Sequence, residues 1–160
     1  MGKAKWVLVV CNDDMWERYS PYVAALRKAG FKVEGTDQTD VVADKRPLGE
    51  FCLILIQFGL LVTENHHTRG TIDGGCNGGA VARALRRRGV RIPILLGNVG
   101  LEELTRAYRD PTKHIEVVHL DDCEPKQFVQ ECLNALETVT SHTRLRAARP
   151  HLTPAAAASF

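Results

Sequence analysis

Phe51-Cys-Leu-Ile-Leu-Ile-Gln57 carries six apolar residues in a row and then stops on an amide. The run is too short for a helix and lacks the alternation of a strand with one wet face. It suits a strand buried on both faces, as in a parallel sheet covered by helices. Val7–Val10, Phe31–Gly35, Ile92–Leu96 and Ile115–His119 read as four further strands. Between them lie helical patterns. Met15–Ala29 spaces Trp16, Tyr19, Val23 and Leu26 along one face and ends at Gly30. Thr39–Lys45 suggests a short helix before Pro47, and Leu101–Tyr108 another. Ala80–Arg88 turns Val81, Ala84 and Leu85 inward and closes at Gly89. Pro125 opens a last helix whose stripe is Phe128, Val129, Cys132, Leu133, Leu136 and Val139. Strand and helix thus alternate five times, which predicts an α/β fold: a doubly wound, five-stranded parallel sheet.

The 160 residues suit one domain, expected over residues 1–140, with a flexible tail at 141–160 that shows no periodicity and contains two prolines. A long loop rich in Gly, Asn and Thr is expected near 60–79. With 21 basic and 19 acidic residues, the net charge of +2 gives no global attraction to nucleic acid or membranes. The longest apolar stretch, Phe51–Val62, is too short to span a bilayer, and the first residues do not read as a secretory signal. The cysteines at 11, 52, 76, 123 and 132 form neither a disulfide framework nor zinc spacing, so a reducing cytoplasm is expected.

Ligands of such sheets gather outside the carboxyl ends of the strands. Those ends offer Cys11, Asn12, Asp13 and Asp14, then Gln57, then Gly97 and Asn98, then His119 to Asp122. A phosphocysteine loop needs an arginine six places after the cysteine. Glu17 stands there, with Arg18 one place late, and Asp13, Asp14 and Glu17 would repel a phosphate dianion. Those carboxylates should also raise the Cys11 pKa and blunt its thiol. A flavin phosphate would want hydroxyls and glycines where the chain has N-D-D-M-W. Carboxylate-held Mg²⁺ serving phosphoryl transfer is the remaining chemistry that suits this cluster.

Here the chain resembles the receiver domain of bacterial response regulators, the CheY-like family, over roughly residues 5–140. V-L-V-V-C-N-D-D is similar to that family's first strand and acidic cluster, and A-A-L-R-K-A-G-F-K-V to its first helix and second strand. L-I-L-I-Q-F-G-L resembles the strand that carries the phosphorylated aspartate, and A-R-A-L-R-R-R-G-V-R-I-P-I-L-L-G-N the third helix and fourth strand. The resemblance implies a flavodoxin-like (βα)5 fold and a signalling role. It also implies a face for dimerisation or target docking over about Leu101–Tyr108, Ile115–His119 and Pro125–Val139. The family's functional residues do not carry over. Cys11 and Asn12 stand where two acids are expected, leaving Asp13 nearest. Gln57 stands at the phospho-acceptor, Asn98 at the switch hydroxyl and His119 near the lysine. A carboxamide is uncharged and a poor nucleophile, and His119 is only a pH-dependent substitute for an ammonium. The expectation is a stand-alone receiver-like protein that is no enzyme, holds no cofactor or metal, and works on a protein partner without phosphorylation. The alternative is a small-ligand or metal sensor using Cys11, Asp13, Asp14 and His119.

Other features have plainer readings. His66, His67, Asp73 and Cys76 lack the spacing of a metal clip. D-G-G-C-N-G-G precedes a helix without a P-loop lysine. Arg83, Arg86, Arg87, Arg88 and Arg91, and the Arg144–Arg149 run, read as solvated charge. Cys11 and Cys123 are both expected at the sheet's mouth, where a redox pair would require their Cα atoms within bonding reach.

Overall fold

The structure, a computed structural model, describes residues 5–36, 47–59, 77–98 and 106–148. Five parallel strands, β1 (Trp6–Val10), β2 (Lys32–Thr36), β3 (Phe51–Gln57), β4 (Ile94–Asn98) and β5 (Ile115–His119), form one sheet in the order β2-β1-β3-β4-β5. The described helices are α1 (Trp16–Lys28), α2 (Asn77–Arg87) and α3 (Pro125–Ala148). This is the expected doubly wound arrangement, reversing direction between β1 and β3.

Burial explains the continuous apolar runs. Val7, Leu8, Val9 and Val10 have no exposed surface, because β1 has neighbours on both edges and side chains packed on both faces. Leu8, Val10, Ile54 and Ile56 meet Phe58, Leu85 and Val81 beneath α2. Val7, Val9, Leu53 and Leu55 meet Tyr19, Leu26, Phe128 and Cys132 beneath α1 and α3. Each face of such a strand removes several aliphatic side chains from water, at roughly 1.5–3 kcal/mol apiece.

The structure corrects three boundaries. Strand β4 begins at Ile94, after Pro93, because Pro93 has no N–H to give to the ladder and acts through its carbonyl on Ile54 N–H. Helix α2 begins at Asn77, so Gly78 and Gly79 are helical where a loop was expected. A Cβ on Gly78 would come within 2.1 Å of the Gln57 carbonyl oxygen, and one on Gly79 within 2.3 Å of the Tyr108 ring. These glycines let the helix press onto the end of β3, a tertiary gain that outweighs their poor helix propensity. Helix α3 runs to Ala148, eight residues past the point where a tail was expected, because R-L-R-A-A is built of good helix formers. The expected helix at 39–45, most of the helix at 101–108, most of the 60–79 loop and the tail beyond 148 lie outside the described residues.

Candidate functional site

The carboxyl end of the sheet is built around Gln57. It is 7% exposed and is the buried polar side chain among the described residues. Beyond it the strand pairing continues, since Phe58 N–H donates to Gly97 O at 2.9 Å. Both ends of the amide are used: Oε1 accepts the Asn12 N–H at 2.8 Å, and Nε2 donates to Gly59 O at 3.2 Å. A buried amide with both ends satisfied is stable where an unpaired one would cost about 1–3 kcal/mol. The bond to Asn12 bridges the ends of β1 and β3, the place where the winding reverses and where ligands of such sheets bind.

The other strand-end residues surround it unequally. Cys11 extends the pairing by giving its N–H to Thr36 O, and its side chain is 2% exposed within the apolar cluster of Tyr19 and Phe128. Asn12 turns the chain into a short 3-10 helix, Asp13–Met15, which carries Asp13 and Asp14 at the exposed surface. Asn98 and His119 face each other in register, one step beyond Gln57 and its partner Gly97. The structure therefore joins Asn12 to Gln57 directly, sets Asn98 beside His119, and places Cys11 in the core. Among the described residues, no group of three His, Cys, Asp or Glu side chains could hold a metal ion. His66, His67, Asp73 and Cys76 lie outside the described residues.

Sequence reasoning missed the residues that brace this end. Arg18 of α1 pairs with Asp121 after β5, across the mouth. The Tyr22 hydroxyl lies 2.6 Å from Leu120 O and 3.0 Å from Cys123 O, sharing its proton between them. The Tyr19 hydroxyl donates to Gly97 O at 3.3 Å, and a Cβ on Gly97 would come within 2.7 Å of that hydroxyl. Burial, with Cys11 and Tyr22 nearby, raises the Tyr19 pKa far above its usual range, so it stays a neutral donor. Only the H-L-D-D acids hinted at this bracing, because the partners stand far apart in the chain, 103 residues in the case of Arg18 and Asp121.

Cys11, Cys52, Cys123 and Cys132 are all reduced, so no disulfide joins any two of them. Burial, aided by Glu131, pushes the Cys132 thiol up to about 12. Cys123 is raised by burial and by Glu131 and Glu124. Among the described residues, no helix is long and apolar enough to cross a membrane.

No family model matches the chain, and no curated protein matches its sequence. Solved structures do match its shape. A signal receiver domain from Vibrio parahaemolyticus superposes with a TM-score of 0.63 at 10% identity, covering 92% of this chain and 99% of that one. A response regulator receiver protein from Sinorhizobium medicae gives 0.60 at 13% identity, covering 84% and 96%. NtrX from Brucella abortus, in complex with ADP, gives 0.65 at 15% identity over 94% of this chain. This chain spans 31% of the NtrX length. The strand order, the two-sided core and these superpositions agree: the chain has the flavodoxin-like fold of the response-regulator receiver domains.

Proposed function

We propose that the chain is a receiver-like signalling module that works by binding a protein partner, independently of phosphorylation and without enzymatic activity of its own. The observation that carries this reading is the Gln57 amide, held by the Asn12 N–H and by Gly59 O at the winding reversal. An amide there offers no charge to Mg²⁺ and no nucleophile for an acyl phosphate. The exposed positions of Asp13 and Asp14 add to this, because a hard cation needs several oxygen ligands converging on one point. His119 and Asn98 stand where the resemblance expects a lysine and a hydroxyl, and neither reproduces those groups. A partner would dock on strand Ile115–His119 and helix α3, the face implied by the resemblance, in a cytoplasmic setting.

The alternative, a small-ligand or metal sensor, has less support. Its four residues do not converge: the Cys11 side chain is packed among apolar groups, and Asp13 and Asp14 face solvent.

Incubation with acetyl phosphate and Mg²⁺, followed by intact-mass spectrometry, tests the reading. The expected spectrum is unchanged. A stoichiometric phosphoryl adduct that survives desalting refutes phosphorylation independence.

A further inference from the structure

A cavity of about 660 Å³ lies at the opposite end of the sheet, between the C-terminal half of α2 and the segment 107–115 that leads into β5. Its walls are strongly basic. Arg83, Arg86, Arg87, Arg91, Arg109 and Lys113 line it, against one carboxylate, Asp110. Arg109 is bound to Glu116 at 2.7 Å, and Lys113 stands 4.0 Å from Asp110, whose other oxygen accepts the Thr112 hydroxyl. Among the described residues, no ion pair joins Arg83, Arg86, Arg87 or Arg91 to a carboxylate.

Arg86 is built in. Its Nε donates to Lys113 O at 2.6 Å, its Nη1 to Val90 O at 2.7 Å, and its Nη2 to Ile92 O and His114 O at 2.7 and 3.2 Å. This corrects the sequence expectation that the whole arginine run is solvated. The four carbonyls hold the guanidinium in a half-buried place but bring it no full negative charge. Burial, and after it the neighbouring Arg91, pull its pKa down. Arg83 is also held, its guanidinium 4.2 Å from the centroid of the Tyr108 ring. Arg83, Arg87 and Arg91 are exposed around the half-buried Arg86, so an anion entering the hollow would meet several guanidinium groups at once.

We propose that this cavity binds a compact polyphosphate group, free or carried by a nucleotide, between Arg87 and Arg91 and the Arg83–Tyr108 wall. The guanidinium fork matches phosphate oxygens, so clustered arginines favour such a group over a single carboxylate. The volume suits a small ligand. A polymer backbone would instead follow an open charged stripe.

Isothermal titration calorimetry on the full chain tests this with four probes: tripolyphosphate, ATP, adenosine and a single-stranded RNA oligonucleotide. Saturable one-to-one binding of tripolyphosphate and ATP is expected, with none of adenosine. Substituting Arg87→Ala with Arg91→Ala should weaken it about tenfold or more, given the usual strength of hydrogen bonds to charged groups. The pair Arg27→Ala with Lys28→Ala removes the same charge from the exposed end of α1 and should leave binding unchanged. Arg86 is left intact because its carbonyl bonds support the fold. The proposal is overturned by adenosine binding alone, by absence of saturation with tripolyphosphate, by equal weakening in both double variants, or by tighter, multi-site RNA binding.

Discussion

The substitution Gln57→Glu exchanges an amide nitrogen for an oxygen and separates two ways of filling the same space. As a carboxylate, the new side chain can still accept the Asn12 N–H, but it has no proton for Gly59 O, 3.2 Å from the present Nε2. Losing that bond costs about 1 kcal/mol, and leaving a charged oxygen against a carbonyl in a 7%-exposed site adds roughly 1–3 kcal/mol. The sum is about 2–4 kcal/mol, or a fall in Tm of roughly 5–15 °C for a domain of this size. As a neutral acid, the same side chain donates its O–H to Gly59 O and accepts from Asn12, much as glutamine does. Burial makes the folded variant hold that proton more tightly than the unfolded chain. The variant should therefore lose stability as pH rises from the unfolded carboxyl value, about 4.3, through its higher folded value. Urea denaturation of both proteins at about pH 5 and pH 8 measures this. If the gap between them is no wider at the higher pH, the amide is not the buried, doubly bonded group described above.

Gly78→Ala should destabilise by about 1–3 kcal/mol or more, because the new methyl meets backbone that cannot yield, whereas Gly49→Ala, with open space around it, should be close to neutral in the same denaturation assay. Arg86→Lys should cost about 2–4 kcal/mol in chemical denaturation, since an ammonium cannot reach the four carbonyls that the planar guanidinium serves. Iodoacetamide at about pH 8 should leave Cys11 and Cys132 unmodified in the native protein and modify both in urea, as peptide mapping would reveal; burial shields each of them, and Cys132 is also held protonated. Fast native labelling of Cys11 would point instead to an active thiol.

Much of this architecture was legible because strands buried on both faces leave an unbroken apolar record. Strand β3 was read to the residue, Phe51 to Gln57, and β5 likewise, Ile115 to His119. Gln57 could be singled out because an amide ends that run at the carboxyl end of a strand, and because the resemblance sets it at the phospho-acceptor position. The errors came from contacts between distant segments. Gly78 and Gly79 look like loop residues until β3 and Tyr108 are seen pressed against them. Arg86 reads like its neighbours Arg87 and Arg88, and only the return of the chain at Lys113 and His114 gives it partners. Cys11 looked like the lip of a site, yet it continues the face on which Val7 and Val9 pack beneath α1 and α3, and those helices bury it.

Helix α3 outlasts the sheet it covers. Five-residue strands extend about 17 Å, while 24 helical residues extend about 36 Å. Beyond Leu136, its last residue among the apolar partners of the core, the helix carries Val139 to the wall of the arginine-lined cavity and continues without a break to Ala148. A fluorophore or spin label attached near position 148 would turn with the whole body, and distances measured from it would report orientation instead of the wandering of a tether.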